Sequence, residues 1–291
     1  MKDYLDLDMV TGRSVALPLA EMSETEPMTP RQERKIFRRK AARRPVEQAP
    51  RRDGASVCTL PSAPLSPWEQ LPRVKPGLRD AGARLSPLVS LFRDDPAARA
   101  FDLLRTRLMH TLRSNGWRRV AIAAPTQGCG ATFTAVNLAL SLARVPETRT
   151  ILMDMNRRSP GVAQMLAVPA KGDMDAFLHG KLAAEDHLVR CCDGLALGLA
   201  DRADRNAAET LHDPSCALTL DEMILSLDPD VVLYDLPPIL SHDDVAAFLP
   251  QVDALLLVAD GTQTTAAQIR ACEDLLGDQT ELLGVVLNQA R

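Results

Sequence analysis

A pair of glycines, a threonine and two strand-ending aspartates are the residues of this chain whose types and spacing suit chemistry on a phosphate. Pro125-Thr126-Gln127-Gly128-Cys129-Gly130-Ala131-Thr132 follows an apolar run at 120–124 and precedes a stretch that reads as a helix. Gly128 and Gly130 let the backbone turn tightly and aim its N–H groups at an anion, helped by the positive end of the helix. Thr132 stands where the hydroxyl of a phosphate-binding loop ligates Mg²⁺. Where such a loop carries Gly-Lys-Thr, this chain carries Gly130-Ala131-Thr132. A tight strand-to-helix turn also wants glycines, so the loop needs support from elsewhere in the chain.

That support comes from Asp154, which closes the apolar run 150–154, and from Asp235, which closes 231–235 and is followed by Leu236-Pro237-Pro238. An Asp ending a hydrophobic strand beside a glycine loop is the usual holder of Mg²⁺ and its waters. Each Asp taken singly fits a helix or turn cap equally well. Arg157 and Arg158 follow the second strand and are candidates to replace the missing lysine at a phosphate, because a guanidinium is always charged and shaped for that anion; the plainer reading is a pair of surface or interface arginines. Cys129, at a helix N-terminus, reads either as a thiol of lowered pKa or as a small residue that fits the turn. His242-Asp243-Asp244 reads as a polar helix start or a metal cluster, and Cys191-Cys192 as packing before a strand.

Several elements must position these groups. The stretch 96–112 places Phe101, Leu104, Leu108 and Leu112 at helical spacing behind Asp95-Pro96. Apolar strands are then expected at 120–124, 150–154, 195–199, 231–235, 254–260 and 282–288, with helices at about 132–144, 217–227 and 264–276. Near-continuous hydrophobic strands separated by helices predict an α/β fold of three layers around a mostly parallel sheet. Ligands of such sheets bind beyond the carboxyl ends of the strands, where the glycine loop and both aspartates fall.

Twelve of the 21 prolines lie within the first 96 residues, where few large apolar side chains accompany them. This composition predicts a disordered tail over 1–95 and an ordered domain over 96–291. Within the tail, residues 31–52 carry ten basic and two acidic side chains, against two basic and six acidic in 1–30. The basic stretch reads as a solvated linker, with an anionic membrane surface or nucleic acid as alternative partners. No apolar run approaches the roughly 18 residues of a membrane span, and the acidic start lacks the pattern of a signal peptide, so the expected location is cytoplasmic. The six cysteines show no metal-ligand spacing.

The chain resembles the bacterial tyrosine kinases of capsule and exopolysaccharide synthesis, which are related to the deviant-Walker partitioning ATPases. The likeness rests on Leu104-Arg105-Thr106 in the leading helix, the loop followed by Asn137-Leu138-Ala139, Asp154 with Arg157 and Arg158, Asp235 before its two prolines with Asp244 after, Val252-Asp253, and Gly284-Val285-Val286-Leu287-Asn288. The resemblance implies a P-loop NTPase-like fold. ATP or ADP with Mg²⁺ would then be held by Gly128, Cys129, Gly130, Ala131, Thr132 and Arg157, with Asp154 and Asp235 as catalytic carboxylates and Thr132, Asp154 and Asp235 around the metal. It places Asn288 where relatives have a residue near the base, which fits adenine recognition or a plain turn. Family members have Lys at 131 and Asp at 156; this chain has Ala131 and Asn156. Arg99 and Asp102 depart from the family's charged helix positions, and the only tyrosines are Tyr4 and Tyr234.

The expectation is a degenerate member that binds nucleotide weakly and acts as a cytoplasmic regulatory or binding partner. Its counterpart would be the cytoplasmic tail of a membrane polysaccharide co-polymerase, with a homo-oligomer and contact with the inner membrane face as further expectations. The alternatives are an active kinase or ATPase with a substitute cation, and a membrane- or DNA-positioning ATPase-like protein.

Overall fold

Residues 65–77, 95–170, 172–277 and 279–290 are those the computed structural model describes. The basic segment 31–52 and Tyr4 lie outside them. Residues 65–77 correct the expectation of a tail reaching to 95. Ser66 caps the short helix α1 (Pro67–Gln70), its side chain accepting from the Glu69 amide while the Glu69 carboxylate accepts from the Ser66 amide. Trp68 and Leu71 are buried, and the Trp68 Nε1–H donates to the Asp193 carbonyl at 2.9 Å. The Arg149 guanidinium lies 5.7 Å from the centre of the Trp68 ring. One buried Trp removes about 150–250 Å² from water, enough to anchor a short segment whose average composition reads as disordered.

The first long helix, α2 (Pro96–Asn115), starts where the sequence predicts. Asp95 accepts from the Ala97 amide at its N-terminus, and Gly116 ends it in the left-handed conformation at φ 70°. Its Phe101, Leu104, Leu108 and Leu112 form the buried face. Strand β1 (Arg119–Ala123) leads through the glycine loop into α3 (Ala131–Leu142), and β2 (Thr150–Asp154) ends at the first of the two aspartates. Three short helices follow, α4 (Val162–Leu166), α5 (Met174–Leu178) and α6 (Ala184–His187). The remaining elements are β3 (Val189–Cys192), β4 (Leu195–Gly198), α7 (Ala207–His212), α8 (Pro214–Leu227), β5 (Val231–Asp235), α9 (Asp244–Phe248), β6 (Ala254–Asp260), α10 (Ala266–Leu276) and β7 (Glu281–Asn288).

The strands form one sheet in the order β3-β4-β2-β5-β1-β6-β7, with every pairing parallel except β3 with β4. Alternate strand residues face opposite layers. Val120, Ile122, Leu152 and Leu233 pack with α2 and α3, whereas Ala121, Ala123, Met153 and Tyr234 pack with α5, α8 and α9. The three-layer α/β architecture is the one expected.

Strand β3 is the element the periodicity misses. It is four residues long and pairs with β4 as a hairpin across Asp193-Gly194, a dipeptide that marks such turns. Cys191 and Cys192 therefore close one strand as well as preceding the next. On the open side of β3, the Val74 amide donates to the Arg190 carbonyl at 2.9 Å, and the Arg190 amide donates to the Pro72 carbonyl at 2.7 Å. The segment after α1 thus covers an edge that would otherwise expose unpaired backbone groups. Among the described residues, no helix is long and apolar enough to cross a membrane.

Candidate functional site

The loop between β1 and α3 depends on its glycines. Gly128 and Gly130 have φ values of 91° and 93°, a region that L side chains rarely adopt. A Cβ on Gly130 would also collide with the Asn288 side-chain amide. That amide donates to the Cys129 carbonyl at 2.9 Å, so Asn288, at the end of β7, holds the loop from behind. This bond gives Asn288 a role in shaping the loop beside the adenine contact expected of it. Cys129 turns its thiol inward, with Sγ 3.6 Å from Thr264 Oγ1, so its side chain packs the loop.

Helix α3 begins at Ala131 with no side-chain cap, which leaves its first amides facing the space beyond the loop. There a cleft of about 560 Å³ opens, lined by residues 126–133 and by Asn156, Arg158, Gln164, Pro238 and His242 among others. Ala131 contributes a methyl group to its wall. Thr132 lines it as well, with Gly161 close against it; a Cβ on Gly161 would lie 3.1 Å from Thr132 Cγ2.

Behind the cleft, Asp154 and Asp235 are register partners on the adjacent strands β2 and β5, and both are fully buried. Asp154 Oδ2 accepts from the Gly161 and Val162 amides, each at 3.1 Å. Its Oδ1, and both carboxylate oxygens of Asp235, have no hydrogen-bond partner among the described residues. Burial pushes Asp154 up to about 7, against the lowering effect of those amides. Burial and then the charge of Asp154 raise Asp235 well above the carboxylate range, with the nearby Thr132 hydroxyl opposing to a smaller degree. Three unpartnered carboxylate oxygens and a hydroxyl are hard oxygen donors, a set that suits Mg²⁺.

The two adjacent arginines part company. Arg157 is neither a surface residue nor a phosphate ligand in waiting: only 1% of its side chain is exposed, and its Nη2 donates to Asp175 Oδ1 at 2.6 Å and to Asp204 Oδ2 at 3.3 Å. A buried guanidinium needs such partners, and they tie the loop after β2 to α5. Arg158 faces the cleft. Its Nε and Nη2 donate side-on to the two oxygens of Asp244 at 2.7 and 2.8 Å, and Nη1 donates to the Arg205 carbonyl at 3.2 Å.

Asp244, fully buried in α9, serves here as the partner of Arg158. The Asn156 side-chain carbonyl accepts from the Ser159 amide at 3.3 Å. Among the described residues, no group of three or more His, Cys, Asp or Glu is arranged to hold a metal, so His242-Asp243-Asp244 is not such a cluster.

Other candidates fall away from the cleft. Tyr234 is fully buried in β5 against Phe248, its ring centre 4.9 Å away, and burial raises its hydroxyl pKa. Cys191 is held up at about 12 by burial. In α2, Asp102 folds back on the chain, accepting from Ser141 Oγ at 2.6 Å, from Arg105 at 3.0 Å and from Arg144. These charges are spent within the subunit rather than directed away from it.

No protein-family model matches the chain. Among curated proteins it is similar to EpsB of Ralstonia nicotianae, assigned as a tyrosine-protein kinase, at 28% identity over 200 residues, which cover 67% of this chain and 26% of EpsB. AmsA of Erwinia amylovora, with the same assignment, is 26% identical over 236 residues, covering 78% of this chain and 32% of AmsA. The chain resembles the bacterial tyrosine kinases. The succinoglycan biosynthesis transport protein ExoP of Rhizobium meliloti is 28% identical over 181 residues, covering 59% of this chain and 22% of ExoP.

The match thus spans about a quarter to a third of these longer relatives. The kinase domain of Escherichia coli tyrosine kinase ETK shares the fold at a TM-score of 0.65 and 22% identity, over 73% of this chain and 83% of that domain. The BceF tyrosine kinase domain does so at a TM-score of 0.62 and 24% identity, over 71% of this chain and 83% of that one.

Proposed function

We propose that this kinase-like chain is a nucleotide-binding regulatory partner in exopolysaccharide synthesis, one that keeps the phosphate cradle of the fold and lacks the means of rapid phosphoryl transfer. The observation that carries this reading is the Ala131 methyl in the wall of the cleft, at the position where the resembling kinases have their lysine. Asn156 replaces a second charged group, and Arg157 is held in a buried ion pair. Transfer of a phosphoryl group relies on fixed charges that stabilise the negative charge developing in the transition state. Losing one such contact costs on the order of 3 kcal/mol, about a hundredfold in rate.

The Mg²⁺ of the fold would be held by Thr132, Asp154 and Asp235, whose oxygen donors fit it, and would supply positive charge beside the phosphates. The chain's own groups do the rest. The amides of the loop and of the first turn of α3 bind the phosphates, Gly128 and Gly130 permit the backbone to approach, and Asn288 holds the loop in shape. The likeness to EpsB and ExoP supports exopolysaccharide synthesis as the setting, with the cytoplasmic tail of a membrane co-polymerase as partner and the inner membrane face as location.

The test is calorimetric titration of ATP–Mg²⁺ and ADP–Mg²⁺ into the full chain and into Ala131→Lys, with phosphate release followed in parallel. Weak binding by the native chain, strengthened about a hundredfold by the lysine, with turnover absent from the native chain, is the expected result. Turnover by the native chain at a rate the lysine does not improve would overturn the regulatory reading and return the protein to the active kinases.

A further inference from the structure

Among the described residues that line the cleft, Arg158 is the single Lys or Arg, and no Asp or Glu faces the same space. An anion entering there meets one guanidinium, whose partner carboxylate, Asp244, is buried and does not line the cleft. The other basic candidate is excluded by geometry, because Arg157 points into the body of the protein and is closed in by Asp175 and Asp204.

Arg158 is also fixed in place. A side-on grip by the buried Asp244 uses its Nε–H and one Nη2–H, and the Arg205 carbonyl takes one Nη1–H. A guanidinium has five N–H donors in a rigid plane, so two remain for a ligand while those bonds are kept. An arginine held in this way loses little side-chain freedom when it takes up a phosphate, and its planar fork matches phosphate oxygens better than a single ammonium does. Its side chain is 26% exposed and Asp244 is not exposed at all, so the guanidinium meets solvent while its anchor does not.

We propose that Arg158, set in position by Asp244, is the cation that receives the terminal phosphates of a nucleotide in this cleft. The proposal rests on the reading of the cleft as a nucleotide site. It assigns the positive charge to the loop after β2 rather than to the start of α3. Binding is thereby supported without a cation at position 131.

The experiment measures the affinities of AMP, ADP and ATP, each with Mg²⁺, for the full chain and its variants by calorimetry. In the native chain, affinity should rise at least tenfold from AMP to ATP. Removing Arg158 alone strands a buried carboxylate and risks the fold, so the decisive comparison is Asp244→Asn against the double variant Arg158→Gln with Asp244→Asn, both checked for native melting. The double variant should lose most of the rise from AMP to ATP that Asp244→Asn retains, with AMP affinity the same in both, and Arg158→Lys should keep part of that rise.

If the double variant binds ATP as tightly as Asp244→Asn does, the role of Arg158 is refuted while the nucleotide site stands. A native chain that binds AMP and ATP equally also refutes it. If the native chain binds none of the three, the nucleotide reading itself falls and Arg158 falls with it.

Discussion

Replacing Asp235 by Asn should stabilise the metal-free protein at alkaline pH, a direction opposite to that of most core substitutions. The reason lies in the buried pair behind the cleft. Asp154 and Asp235 sit side by side on β2 and β5, and three of their four oxygens lack hydrogen-bond partners among the described residues. Burial lifts Asp154 from 3.8 to about 7. At about 1.4 kcal/mol per pKa unit, that shift corresponds to a cost of about 4 kcal/mol once the pH passes it.

Both carboxyls titrate higher in the fold than in the unfolded chain, so the folded form holds the extra protons. Stability from this source is complete below about pH 4, falls as the pH rises toward 7, and stays low above it. Asp235→Asn removes one of the charges, although its amide still wants partners, a penalty of about 1–3 kcal/mol. Relief of the buried Asp235 charge sets the sign of the difference at pH 8, and each kcal/mol gained raises the melting temperature by roughly 2–4 °C in a chain of this size.

Melting curves of native chain and variant between pH 5 and 9 test this. The difference between the two should open as the pH rises and should shrink when MgCl₂ is added, because Mg²⁺ stabilises only the native pair. A variant that is equally destabilised at pH 5 and pH 8, or a native chain whose melting ignores Mg²⁺ at pH 8, would refute the reasoning.

Gly130→Ala should cost about 1–3 kcal/mol, because it places a side chain at φ 93° and against the Asn288 amide. Asn288→Ala in the same chain should recover part of the loss; no recovery would assign the whole cost to the backbone. Trp68→Ala should cost about 3–5 kcal/mol and open residues 65–77 to proteases, whereas an unchanged melting temperature and cleavage pattern would show that α1 adds nothing to the body.

Some of this protein was legible without coordinates and some was not, and the division follows the range of the interactions. The buried strands ending at Asp154 and Asp235 were readable because long apolar runs leave few alternatives, and the start of α2 because Asp95-Pro96 acts within its own turn. Strand β3 was missed because four residues carry too little periodicity, although Asp193-Gly194 marked its hairpin. Segment 65–77 was misread because average composition outweighed a single Trp68.

The sequence by itself determined the glycine loop, the two carboxylates at strand ends and the absence of a lysine at 131, all properties of residue identity and local spacing. Only the tertiary structure decided that Arg157 is buried and Arg158 faces the cleft, that Asn288 braces the loop, and that α1 closes the edge at β3. Those outcomes turn on partners distant in the chain: Asp244 lies 86 residues from Arg158, and Cys129 lies 159 from Asn288. A side chain's role at such a distance is set by whichever group the packed layers bring against it.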